Sequence, residues 1–207
     1  MKNTSISEDT ITIGDVIRDY DALKSCVAGD ALRNLVESAI YTSADGGFIQ
    51  NDTYFHALFL TEMMLERTNK SLRIFCGRDV ARFLNTIRDT FFKCCERIKN
   101  SNGKIRIISK VCSDSDKKNS LDNLKRLANE VRNSFSGIDI KGVVQKANSS
   151  DENHYIVCDS KMLRVEEIHK PLTDNMPASN IKAKVFFNNI GLAASFEADF
   201  DSLYEFK

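Results

Sequence analysis

Three residues within one short stretch have types that can share a chemistry: His154, Arg164 and Glu166. They flank Asp159-Ser160-Lys161, a turn between two strand-like runs, His154–Cys158 and Met162–Glu167. Turn length decides which face each side chain takes. With a three-residue turn, Cys158 opposes Met162, Ile156 opposes Arg164 and His154 opposes Glu166, all on one face. With a two-residue turn, Cys158 opposes Leu163, and Arg164 and Glu166 move to the face of Tyr155 and Val157. Only the first register assembles a His–Glu–Arg cluster. There a carboxylate would orient the imidazole and raise its basicity, and a guanidinium would grip phosphate or carboxylate bidentately. One reading of such a cluster is an anion or phosphoester site; the other is a satisfied ion-pair network on a sheet face.

The remaining candidates are more scattered. His56 falls in a helix crowded with Phe and Leu and reads as a helix-surface or core-edge residue. His169, before Lys170-Pro171, reads as an exposed loop residue. Glu62 and Glu66 stand four apart on one helix, a spacing open to acid–base or metal chemistry, but Arg67 next to them makes surface pairing the simpler account. The six cysteines form no CxxC pair, and only His154 lies near one of them (Cys158), so no metal site and no cofactor is expected. Cys94-Cys95 and Cys76 read as small buried apolar residues of a reducing compartment.

Charge is uneven along the chain. The formal net charge is zero, with 29 basic and 29 acidic residues, which argues against indiscriminate electrostatic binding of nucleic acid. Lys70–Lys110, however, holds eleven Lys and Arg against Asp79, Asp89 and Glu96. Arg73, Arg78 and Arg106 in that block are candidates for nucleic-acid or anion binding; the competing account is pairing with the acidic C-terminal segment.

The elements that must position these residues follow from periodicity. Apolar residues at helical spacing predict helices over 14–27, 31–41 (capped by Asp30), 53–68, 79–99, 121–135 and 191–206. Alternation predicts strands at Ser71–Gly77, Lys104–Val111, Gly137–Gln145 and Ala183–Phe187, besides the hairpin. Residues 43–47, 113–119 and 171–177 read as loops. Helix-length crossovers joining the strands from Ser71 to Gln145 imply parallel pairing, and the hairpin makes the sheet mixed. The fold class is therefore α/β (α+β mixed sheet), with residues 1–48 a helical N-terminal extension and 49–207 one α/β domain. No apolar run of membrane-spanning length and no secretion signal is present, so a soluble, cytoplasmic protein without a membrane partner is expected.

Several stretches carry a resemblance: NKSLRIF at a helix-to-strand junction, the crossover to GKIRIIS, GIDIKGVV followed by HYIVCD, and the ending KVFFNNIGLAASFEADFDSLYEF. Over about residues 52–207 the chain resembles a divergent phospholipase D-like superfamily member. The resemblance implies a phospholipase D-like sandwich. It also implies an active strand reading H-x-K-x4-D, in which His is the nucleophile or acid and Lys holds phosphate oxygens. Here His154 is present, Ile156 stands at the Lys position, and Lys161 stands where Asp is expected; Asp159 comes two residues early. Losing one phosphate-clamping donor costs about 3 kcal/mol of transition-state stabilisation, by analogy with oxyanion-hole deletions.

The resemblance and the broken motif together imply a non-catalytic or non-standard protein. It would bind nucleic acid or a protein partner, in the setting of a bacterial multi-protein, defence-type system. The alternative is an active homodimeric phosphodiesterase or nuclease, with His154 as nucleophile and Arg164 replacing the missing Lys. One motif per chain makes a homodimer the implied assembly. The site residues are then His154, Arg164, Glu166 and Asp159.

Overall fold

The structure is a computed structural model, which describes residues 11–42, 47–77, 79–146, 154–169 and 172–205. Two helices lead the chain, α1 (Ile13–Lys24) and α2 (Val27–Thr42). Thr12 starts α1 with a capping box: its hydroxyl accepts from the Asp15 amide, and the Asp15 carboxylate accepts from the Thr12 amide. The second helix starts four residues earlier than its sequence pattern predicts. Asp30 lies in its first turn, where a carboxylate favours the helix dipole, and does not cap it. Gly29 permits this tight entry, since a Cβ there would sit 2.2 Å from the Lys24 carbonyl oxygen.

Next come β1 (Ile49–Asn51), α3 (Tyr54–Glu66), β2 (Ser71–Cys76), α4 (Val80–Thr86), α5 (Arg88–Asn100), β3 (Lys104–Val111), α6 (Asp114–Ser134) and β4 (Asp139–Lys146). The single helix expected over 79–99 is two, because the buried Ile87 leaves helical dihedrals (φ −108°, ψ 35°). Residues 113–119, expected as a loop, open α6. Ser113 caps it by accepting from the Asp116 amide, and Asp114 and Asp116 occupy the favoured acidic first turn. The strand β1 was not anticipated, since three residues are too few to show a period.

The chain closes with β5 (Tyr155–Cys158), β6 (Met162–Glu166), a 3-10 turn (Ala178–Asn180), β7 (Ala183–Phe186) and α7 (Ile190–Glu205). One seven-stranded sheet results, in the order β1-β7-β6-β5-β2-β3-β4. Strands β2, β3 and β4 are parallel, and β5 joins β2 antiparallel. The mixed α/β class read from the sequence is the one observed.

The sheet separates two cores. Leu72, Ile74, Ile105, Ile107 and Ile156 pack beneath α3–α6, together with Ile13, Val16 and Tyr20 of α1. Phe75, Ile108, Tyr155, Val157 and Leu163 point the other way, against Ala193 and Phe200 of α7. A strand buried on both faces needs apolar residues at successive positions, which is what β2, β3 and β5 carry. None of the described helices is long and apolar enough to cross a membrane.

Candidate functional site

The hairpin takes the three-residue register. Cys158 pairs with Met162 and Ile156 with Arg164, and the Glu166 amide donates to the His154 carbonyl at 2.8 Å. Asp159 and Ser160 make this possible by both adopting positive φ, 52° and 55°. Period-two alternation then places His154, Arg164 and Glu166 on one face, the face beneath the larger helical layer.

Glu166 is the hub of the cluster. Its Oε2 lies 3.0 Å from Nδ1 of His154 and 3.2 Å from Nε2 of His169, and its Oε1 lies 2.6 Å from Nη2 of Arg164. Burial pushes this carboxyl upward. The Arg164 charge and the contacts from both imidazoles outweigh it and hold the carboxyl well below its usual range. An ionised carboxylate only accepts, so the hydrogen of this contact is on His154 Nδ1, and the other nitrogen of the ring is Nε2. That nitrogen faces the end of β2: a Cβ on Gly77 would lie 3.3 Å from Cε1 and 3.4 Å from Nε2 of His154. A side chain here would press on the imidazole edge. The Gly77 carbonyl is held in turn by the buried Ser109 hydroxyl at 3.0 Å.

The cluster thus sits at the C-terminal ends of the parallel strands β2 and β3, beside the point where the chain switches to the other side of β2. Open α/β sheets commonly bind ligands at such a switch point. Arg164 is almost wholly buried, and its Nε meets no acceptor among the described residues. It serves as a fixed positive charge behind Glu166, and a guanidinium so enclosed is poorly placed to grip an incoming phosphate.

The other expected residues lie elsewhere. Asp159 is at the far end of β5, about 15 Å along the strand from His154. Its carboxylate accepts from the amides of Asn69, Lys70 and Ser71 at 2.8, 2.7 and 2.9 Å, so it ties down the entry to β2. Arg73 lies on the α7 face, held by Asp201 at 2.9 Å and by Glu197. Arg106 shares that face and forks onto Asp139 at 2.7 and 3.0 Å. The fold brings neither to the His154 cluster, and Arg78 lies outside the described residues. Pairing within the chain extends through the basic block, with Arg82 on Asp174 and Arg88 on Glu130.

Two sequence expectations need correction. His169 is not an exposed loop residue: its side chain is 13% exposed and turned onto Glu166. Its i+3 spacing from Glu166 was the available signal. Glu62 is not paired at the surface. It is buried, accepting from the Tyr20 hydroxyl at 2.7 Å, Thr90 at 2.7 Å and Lys24 Nζ at 3.1 Å. Its partners come from α1 and α5, which its own helix does not reveal.

No family model matches the chain, and no curated protein matches it at a significant level. Among solved structures the similarity is one of α/β fold, at low sequence identity in the examples that follow. TrmBL2, described as an archaeal chromatin protein with a novel mode of DNA binding, overlays with a TM-score of 0.53 at 17% identity over 92% of this chain. The present chain spans 63% of the length of TrmBL2. One match, Nuc, is described as a phospholipase D family member. Nuc from Salmonella typhimurium has a TM-score of 0.47 at 17% identity, over 69% of this chain and 83% of its own. NucT from Helicobacter pylori has a TM-score of 0.45 at 12% identity, over 77% of this chain and 97% of its own.

Proposed function

We propose that the chain is a phospholipase D-like domain that binds a nucleic-acid phosphodiester at the His154 cluster and performs no standard phosphodiesterase chemistry. The observation that carries this reading is the Glu166–His154 pair at the C-terminal end of β2, which leaves His154 Nε2 toward Gly77. Ile156 supplies no cation where the related motif has Lys, and Arg164 is committed to Glu166. A phosphate there meets one imidazole, which suffices to position a ligand and falls short of clamping a transition state. The fold shared with the DNA-binding TrmBL2 supports nucleic acid as the ligand class. Residues 1–48 act in this reading as an extension that docks through Tyr20 and Lys24 onto Glu62.

The test is fluorescence anisotropy of labelled single- and double-stranded DNA in the presence of a chelator. His154→Ala is expected to weaken binding about tenfold, equivalent to about 1.4 kcal/mol. Equal affinity in the two proteins overturns the site assignment.

The orientation of His154 by Glu166, with Nε2 toward Gly77, favours a second reading, an active homodimer with Nε2 as nucleophile. Metal-free hydrolysis of bis-p-nitrophenyl phosphate separates the two. Equal background rates in wild type and His154→Ala eliminate the active form. A dimeric mass by light scattering together with a rate lost in the variant establishes it.

A further inference from the structure

The structure assigns a second capacity to the same corner of the fold: we propose that His154, Glu166 and His169 form a site for a divalent transition-metal ion, zinc(II) above all. The proposal is independent of the phosphodiester reading, because it needs only these three side chains.

The donor set is two imidazoles and one carboxylate, with one ligating atom from each lying within 4.8 Å of the others. That composition is shared by catalytic zinc sites and by open non-haem metal sites. Zinc bonds to nitrogen and oxygen are about 2.0–2.2 Å long, so a tetrahedral site has donor–donor edges of about 3.3 Å. Two edges are already close: 3.0 Å from Oε2 to His154 Nδ1, and 3.2 Å from Oε2 to His169 Nε2. The two rings stand perpendicular, at 88°, with centroids 5.1 Å apart, so both present an edge nitrogen to the same carboxylate oxygen. His169 follows β6 on an irregular segment, which gives the third edge freedom to close.

The surroundings fit a metal ligand set. Arg164 holds the oxygen that does not face the imidazoles, the outer-partner role that fixes ligand orientation in metal sites. The side chains of His154, Glu166 and His169 are 20%, 10% and 13% exposed, enough for an ion to enter and for water to complete its coordination. Binding needs the lone pairs of His154 Nδ1 and His169 Nε2, so each neutral imidazole carries its proton on its other ring nitrogen when the ion is held, and no redox change is involved.

The experiment uses the full chain carrying Cys26→Ser and Cys112→Ser, which removes the two exposed thiols as competing ligands. Zinc affinity is measured by competition with a chromophoric chelator, and cobalt(II) substitution reads the coordination. The expected result is one zinc per chain, with a four-coordinate cobalt spectrum that lacks a sulfur charge-transfer band. His169→Ala should weaken zinc by at least about 10–100-fold, the scale seen even for outer partners of metal ligands. His154→Gln should do the same, and circular dichroism checks that both variants remain folded. No zinc uptake, or uptake unchanged in both folded variants, overturns the proposal. DNA binding in chelator is read separately, so either idea can fail while the other stands.

Discussion

Glu166 and His154 meet across one rung of the β5–β6 hairpin, with Oε2 3.0 Å from Nδ1, at a position where both side chains face the larger core. The same carboxylate neutralises Arg164, one of the most deeply buried charges of the described chain. The pair is therefore structural as well as chemical, and the two contributions separate by substitution.

Glu166→Ala strands the Arg164 guanidinium and is expected to cost about 3–5 kcal/mol, as for other broken buried ion pairs. Replacing both residues, as Arg164→Met with Glu166→Leu, removes the stranded charge and should recover most of that loss. Urea denaturation of the three proteins measures the difference. A double variant no more stable than Glu166→Ala contradicts the pairing argument.

At the opposite end of β5, Asp159 accepts three backbone amides through one carboxylate. Asp159→Gly keeps the positive φ and loses the acceptor, so the expected loss is about 2 kcal/mol, the scale of hydrogen bonds to a charged group. DNA and zinc affinity should stay unchanged, since the turn is remote from His154. A thermal melt and a binding titration on one preparation read both quantities.

Glu62 joins α1, α3 and α5 through Tyr20, Lys24 and Thr90. Tyr20→Phe removes one hydrogen bond to a buried carboxylate, a loss of about 1.5–3 kcal/mol. Because the bond spans two elements, its loss should show as faster proteolytic cleavage within α1 before global unfolding. Unchanged protection of α1 would mean that apolar packing of Ile13 and Val16 alone holds the helix.

His56 gives a pH dependence of known sign. Burial lowers its pKa below the usual 6.5, Asp52 opposes this weakly, and its Nδ1 is buried without a partner among the described residues. The unfolded chain therefore takes the proton first. The stability contribution of neutral His56 is complete above about pH 6.5 and is lost as the pH falls below it. Comparing urea midpoints of wild type and His56→Gln at pH 7.5 and 5.5 isolates the effect. The wild type should lose more on acidification, and parallel losses would reject a depressed His56.

Much of the scaffold was legible because it is a local property of the chain. Alternation in SLRIFC and KIRIISKV marks β2 and β3, and the intervening helical period forces a crossover and parallel pairing. Where one residue decides the geometry, local pattern was silent. Ile87 breaks a helix by leaving its dihedrals, and Ser113 starts one inside a polar stretch that resembles a loop. In both cases the signal is a single backbone or capping interaction, which no period carries.

The sequence by itself determined the layered α/β class and the composition of the hairpin, including the possibility that His154, Arg164 and Glu166 share a face. These follow from side-chain period and turn chemistry within a dozen residues. Only the tertiary structure decided the register, which rests on positive φ at both Asp159 and Ser160. It also decided that His169 joins Glu166, that Glu62 is buried between helices, and that Arg73 and Arg106 are neutralised by acidic partners far along the chain. The physical reason is range. Charge and hydrogen bonding act between neighbours in space, and the fold supplies neighbours more than a hundred residues apart, such as Arg73 and Asp201.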